Sequence, residues 1–170
     1  MIGVEKTLII SCGESGLNKS IEFDDRIFIY TPADGTLHHH DHREKERIQY
    51  YVESKECKQI IFASSIEQNL IDRILHEDSL RSIRKALKFN LKVFLRDQDK
   101  EIMPTSIRNQ LLVELHVIAQ CSHLMDYYFI RGPVQRKQLQ IRGVVSTLQE
   151  GQFKPVFHNG IIYNDIISMN

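Results

Sequence analysis

An α/β domain with a central, mainly parallel sheet, flanking helices and a carboxyl-terminal β-hairpin is the fold that the amino-acid sequence predicts, and three observations predict it. Short apolar runs rich in β-branched residues alternate with segments whose apolar residues recur at helical spacing; such alternation calls for crossover connections and hence for parallel neighbours. Near the end of the chain the alternation stops, and two strand-like runs flank Glu150-Gly151, a turn signal. The chain has 170 residues, 42% of them hydrophobic and 26% charged, enough for one core and short for two. A single domain over residues 1–170 is expected.

In chain order, Thr7 to Ser11 (TLIIS) reads as a buried strand ending at Cys12-Gly13, and Arg26 to Tyr30 repeats the pattern. From Arg43 to Ser54, Ile48, Tyr51 and Val52 sit at helical spacing. Asp41 and Glu44 have capping-box spacing, so this helix should open with the Asp41 carboxylate accepting from a first-turn amide while Glu44 reaches back to the cap. Gln59 to Ala63 (QIIFA) is the third strand. Ile66, Leu70, Ile71 and Ile74 read as helix, and Asp78 or Ser79 as the cap of another that carries Leu80, Ile83 and Leu87. Leu91 to Leu95 reads as a short extra strand. From Pro104 to about Met125, the residues Leu111, Leu115, Ile118 and Met125 form one stripe, which predicts a long amphipathic helix with Pro104 in its first turn. Gly132-Pro133 should break the helical pattern, after which Leu139 to Leu148 and Phe153 to Phe157 make the hairpin.

Composition narrows the function classes. Lysine plus arginine total 22 and aspartate plus glutamate 22, so overall charge draws the chain neither to nucleic acid nor to an anionic membrane. No apolar run approaches the roughly 20 residues that span a bilayer, and the amino terminus lacks the pattern of a signal peptide. Cys12, Cys57 and Cys121 are odd in number, far apart and without a CxxC pair, which fits a reducing compartment. A cytoplasmic protein is expected.

Parallel sheets bind ligands beyond the carboxyl ends of their strands, so the turns after Ser11, Tyr30 and Ala63 are where chemistry is sought. Gly13 to Ser20 (GESGLNKS) matches the phosphate-binding loop except that Asn18 replaces its second glycine, with Lys19 and Ser20 in the positions that meet phosphate and magnesium. Asp24-Asp25 and the strand at Arg26 leave little room for the helix whose amino end must face the phosphates. A strand-to-loop connection therefore accounts for it better than nucleotide binding. His38, His39, His40 and His42 are four imidazoles within five residues, good ligands for zinc, nickel or copper. Neighbouring histidines seldom converge on one ion, and a solvated loop explains them more simply. Cys121, with His116 and His123 near it on the long helix, follows Ile118 by three residues and reads as a small core hydrophobe. Cys57 is assigned no role.

Cys12-Gly13-Glu14-Ser15 resembles the Cys-x-Asp-Ser-Arg motif of the β-class carbonic anhydrases. Arg26 to Ala33 resembles that family's second strand and Arg-Asn-Ala turn, and Arg43 to Ala63 its helix and strand leading to a Gly-His-x-x-Cys-Gly motif. His116-Val117-Ile118-Ala119-Gln120 is similar to its Asn-Val-x-x-Gln helix. Leu139-Gln140-Ile141-Arg142-Gly143-Val144-Val145, with Glu150-Gly151, is similar to its Leu-x-x-His-Gly-x-x-Tyr-Asp strand and following turn. The resemblance runs from about Thr7 to Phe157 and implies a β-carbonic-anhydrase-like fold.

In that family zinc is held by the first cysteine, the histidine and the second cysteine, and the aspartate and arginine of the first motif orient the metal-bound water. Carried over by position, Cys12 remains, Ser64 stands for the histidine, Glu67 for the second cysteine, Glu14 for the aspartate and Gly16 for the arginine. The resemblance thus implies a zinc-free relative without carbonate dehydratase activity, with a binding or regulatory role and a small polar pocket for a small molecule or anion at Cys12, Glu14, Ser15, Ser64 and Glu67. An alternative is a lyase with a rebuilt zinc site drawn from Cys12, Glu67 and His38, His39, His40 or His42. Family members carry an amino-terminal helical arm that embraces a partner subunit, whereas this chain opens almost directly on its first strand. A homodimer is expected to use the sheet edge or the carboxyl-terminal hairpin instead.

Overall fold

The computed structural model describes residues 5–12, 24–33, 35–38, 40–87, 104–146 and 152–163. One sheet organises them, with strand order β2-β1-β3-β4-β5-β6. Strands β1 (Thr7–Cys12), β2 (Ile27–Tyr30), β3 (Gln59–Ser64) and β4 (Gln140–Ser146) run parallel. Strands β5 (Phe153–His158) and β6 (Ile161–Ile162) return antiparallel. Every residue of β1 is buried, as a central parallel strand covered on both faces requires. From β1 the chain passes to β2 on one side and from there to β3 on the other, so the winding reverses at β1. In parallel sheets a crevice opens at such a reversal.

Helix α1 (His42–Gln49) opens as expected in one respect and not in another. Asp41 Oδ1 accepts from Arg43 N at 2.8 Å. Glu44, however, does not reach back to the cap: its Oε2 accepts from His38 N at 2.6 Å and its Oε1 from the Tyr30 hydroxyl at 3.0 Å. The Asp41 amide is already satisfied by His38 O at 2.8 Å, which leaves the glutamate to tie the incoming loop to the end of β2. A π-helical turn, Tyr50–Ser54, closes this helix, and Ile48 is buried beneath it.

Helices α2 (Gln68–Ile74) and α3 (Glu77–Leu87) follow β3. Asp78 and Ser79 lie inside the first turn of α3 rather than capping it, because Leu80 N already bonds to His76 O at 3.0 Å and sets the start earlier. The long helix α4 (Thr105–Leu124) begins at Pro104, and it corrects the expectation of a single apolar stripe. Leu111 to Cys121 is buried all round, including Glu114, His116 and Gln120. Burial of these polar groups is permitted because each has a partner remote in sequence. Glu114 accepts from Lys154 Nζ at 2.8 Å, His116 Nε2 lies 3.4 Å from Gly35 O, and Gln120 Oε1 accepts from Leu37 N at 2.8 Å.

Gly132-Pro133 does not end helical structure, since both residues lie within helix α5 (Tyr128–Gln135). The proline removes one donor, but the ladder continues either side of it, with Arg131 N to Tyr127 O at 2.8 Å and Arg136 N to Gly132 O at 3.1 Å. The hairpin of β4 and β5 forms as expected, and β6 extends it through a two-residue turn. Asn159 and Gly160 in that turn have φ of 49° and 95°, as a type I′ connection demands. Asn159 Oδ1 also accepts from Ile141 N at 2.7 Å. The expected strand at Leu91 to Leu95 and the turn at Glu150-Gly151 lie outside the described residues.

Candidate functional site at the ends of the central strands

Cys12 and Ser64 are the last residues of neighbouring parallel strands and are paired in register, as are Ser11 and Ala63 before them. All four are fully buried. Strands in register lie about 4.8 Å apart with side chains on a common face, so the topology places the Cys12 thiol beside the Ser64 hydroxyl. Gly35, at φ 73°, passes next to them. A point one bond out from its α-carbon lies 3.5 Å from Arg73 Nη1, 3.6 Å from Leu70 Cδ1 and 3.7 Å from Cys12 Cβ. The bonds from His116 and Gln120 already described hold this loop from behind.

The carboxylate expected to complete the set has a serine for a partner. Ser65 Oγ donates to Glu67 Oε1 in a short bond, while Ser64 Oγ makes a long one, 3.4 Å, to Ser65 O. A tetrahedral zinc site needs three good protein donors. Here the register supplies one thiol and a hydroxyl, a poor ligand, and the carboxylate is engaged by a neighbouring serine; this donor set does not fit zinc. Among the described residues no group of three histidine, cysteine, aspartate or glutamate side chains is placed to hold a metal ion.

The other candidates fall in several places. Glu14, Ser15, Gly16, Lys19, Ser20 and His39 lie outside the described residues. His42 is the first residue of α1. His38 and His40 line a cleft together with His123 from α4. Cys121 is core and His116 packs edge-on against Phe62, with ring centroids 6.3 Å apart. Cys57 is buried at the start of β3, beside a cavity of about 800 Å³ at the amino ends of the strands, the end opposite Cys12. Arg73, the cation nearest Cys12 among these contacts, was not singled out in the sequence; its only signal is its place on the helix that follows β3.

Burial also sets an alkaline limit on stability. The Cys57 and Cys121 thiols are pushed above their ordinary value of 9.0 by burial. The Tyr30 phenol is pushed up from 10.0 to about 12 by burial and then by its bond to Glu44. Groups whose folded pKa is raised contribute stability that is complete below the unfolded pKa and lost above it. The melting temperature should therefore hold up to about pH 9 and fall from there, and Tyr30→Phe should flatten the part of the fall between about pH 10 and 12. A melting temperature constant from pH 8 to 11 would contradict this reading.

Residues 7–153 match the carbonic anhydrase family. No curated protein sequence matches the chain. Among solved structures, the chain is similar to the β-carbonic anhydrase CafD of the filamentous fungus Aspergillus fumigatus, at 22% identity and a TM-score of 0.68, over 92% of this chain and 91% of that one. It is also similar to one of two tetrameric β-carbonic anhydrases of the filamentous ascomycete Sordaria macrospora, at 19% identity and a TM-score of 0.70, over 89% and 80% of the two chains. A third is the Coccomyxa β-carbonic anhydrase in complex with acetazolamide, at 17% identity and a TM-score of 0.59, over 92% and 74%.

Proposed function

We propose, since this chain belongs to the carbonic anhydrase family, that it keeps the β-class scaffold without the zinc chemistry, and binds a small molecule or anion in a binding or regulatory role. The observation that carries the reading is the pairing of Cys12 with Ser64 where the family places a thiolate beside an imidazole. Carbon dioxide hydration in such enzymes depends on lowering the pKa of bound water from about 15.7 toward 7. With a hydroxyl at one position and a carboxylate held by Ser65 at the other, no described side chain substitutes for that. What the pocket offers is a polar cup around Cys12, Ser64 and Glu67, to which Glu14 and Ser15 are assigned by sequence position.

The chain is further proposed to act in the cytoplasm, where its three cysteines, none of them in a disulfide, stay reduced, and to self-associate as a homodimer. The tetrameric relatives from Sordaria macrospora support self-association. Among the described residues no helix is long and apolar enough to cross a membrane. The deciding experiment uses protein purified without a nickel column. Elemental analysis should find well under one zinc per chain, and stopped-flow hydration should stay at the uncatalysed rate. One tightly held zinc per chain together with hydration activity would refute the proposal.

A further inference from the structure

The cavity of about 800 Å³ at the amino ends of β3 and β4 is within the size range of small-molecule sites, and its lining is divided. Cys57, Phe129 and Leu139 are buried and Val52 and Pro133 half-buried, so these five make an apolar floor. Lys58, Arg136, Lys137, Glu5 and Glu53 are exposed and make the rim. The turn out of helix α5 sets Arg136 and Lys137 side by side there. Lys137 N donates to Val134 O at 3.0 Å and Gln138 N to Pro133 O at 2.9 Å, the paired bonds of a Schellman cap. Lys137 has φ 59° in this cap, where glycine is the usual residue.

With every charge on the rim counted, the balance is positive: the cations Lys58, Arg136 and Lys137 face the carboxylates of Glu5 and Glu53. Glu53 accepts from Gln49 Nε2 at 2.9 Å, a neutral donor, and so keeps its charge. Next to the rim, Lys6 pairs with Glu56 at 3.4 Å and leaves the balance unchanged. The donors are also open. Among the described residues the Lys58 and Lys137 ammonium groups make no hydrogen bond or ion pair. Arg136 donates through Nε, to Gln138 Oε1 at 3.0 Å. Its guanidinium lies back over Gly132, where an added β-carbon would sit 3.2 Å from Nη1 and 3.6 Å from Nη2, and the two Nη groups remain as a fork. An arginine fork suits the two oxygens of a carboxylate, the apolar floor suits a ring or a short chain, and one positive charge in excess suits a monoanion.

We infer that this cavity binds a small amphipathic monoanion, a carboxylate on an apolar body, with the carboxylate on Arg136 and Lys137 and the body over Phe129 and Leu139. The inference goes beyond the pocket at Cys12, at the other end of the sheet, and does not depend on it. Calorimetric titration with benzoate, hexanoate, acetate and benzylamine tests it, alongside methyl NMR. Saturable binding of benzoate or hexanoate is expected, with shifts in the methyls of Val52 and Leu139 and none in Val145 near the far end of β4. Acetate, which lacks the body, and benzylamine, which reverses the charge, should each bind about tenfold or more weakly. Arg136→Ala combined with Lys137→Gly should weaken binding about tenfold or more, and Arg136→Glu alone should act in the same direction. These positions are exposed, Lys137→Gly suits the local φ, and unchanged melting would confirm the fold. Tighter binding of benzoate would identify a ring-bearing ligand, and tighter binding of hexanoate a chain-bearing one. No saturable binding of either, benzylamine or acetate binding as tightly, or binding indifferent to the α5 variants would overturn the inference. So would binding that Cys12→Ser abolishes and that shifts Val145, because it would move the site to the first pocket. The zinc and hydration assays report on Cys12 alone, so the two readings fail separately.

Discussion

Replacing Gly143 with alanine should destabilise the protein by about 2–3 kcal/mol and lower its melting temperature by roughly 5–10 °C. Gly143 lies on β4 where helix α4 crosses the sheet. A β-carbon added there would sit 2.8 Å from Val117 Cγ1, 3.0 Å from Cys121 Sγ and 3.1 Å from Phe157 Cβ. None of these neighbours can yield cheaply. Val117 is β-branched and stiff in a helix, the Cys121 sulfur is on the same buried helix, and the Phe157 β-carbon is fixed to the backbone of the adjacent strand. Relief would require α4 to lift from the sheet, and its stretch from Leu111 to Cys121 is packed on every side. A thermal melt of Gly143→Ala within 1–2 °C of the parent, at about 0.5 kcal/mol, would show that the helix can shift and that the contact is not the constraint described. The glycine of the family's Leu-x-x-His-Gly strand motif therefore has a packing reason in this chain, independent of any chemistry.

Placing the family's histidine and second cysteine at positions 64 and 67 should give the chain a zinc site. In the double variant Ser64→His with Glu67→Cys, the imidazole would start from the strand end paired with Cys12, and a second thiolate would replace the carboxylate that Ser65 now holds. Three protein donors of the kinds zinc prefers would then share one end of the sheet, leaving a fourth position to water. After dialysis the double variant should retain about one zinc per chain while the parent does not. The cobalt-loaded form should show thiolate-to-metal absorption. If it holds no more metal than the parent, these two positions do not decide metal binding, and the account of the Cys12 pocket fails with it.

The order of strands and helices was legible because it depends on local pattern: apolar runs of β-branched residues, then helical spacing, in alternation. What was hidden depended on partners far along the chain. Glu114, His116 and Gln120 look like the wet face of an amphipathic helix until Lys154, Gly35 and Leu37 arrive to satisfy them. Glu44 has the spacing of a capping box, but a tertiary partner, Tyr30, and the His38 amide claim its carboxylate first. Gly132-Pro133 reads as a break by propensity, yet one missing donor is tolerated where the rest of the ladder holds. The extra strand β6 could have been found, because Asn159-Gly160 is a strong hairpin signal with only a two-residue strand after it. At the site, the neighbourhood of Cys12 and Ser64 follows from strand order alone. The turn of Glu67 toward Ser65, and the approach of Arg73 to the loop at Gly35, are matters of side-chain direction that sequence spacing does not encode.

The loop that passes the end of β1 at Gly35 is fastened by amide and imidazole groups rising from the helix behind it. Its course is therefore set by the core. Helix and loop thus behave as one unit, and a substitution at the strand ends that leaves His116 and Gln120 in place should leave the loop where it is.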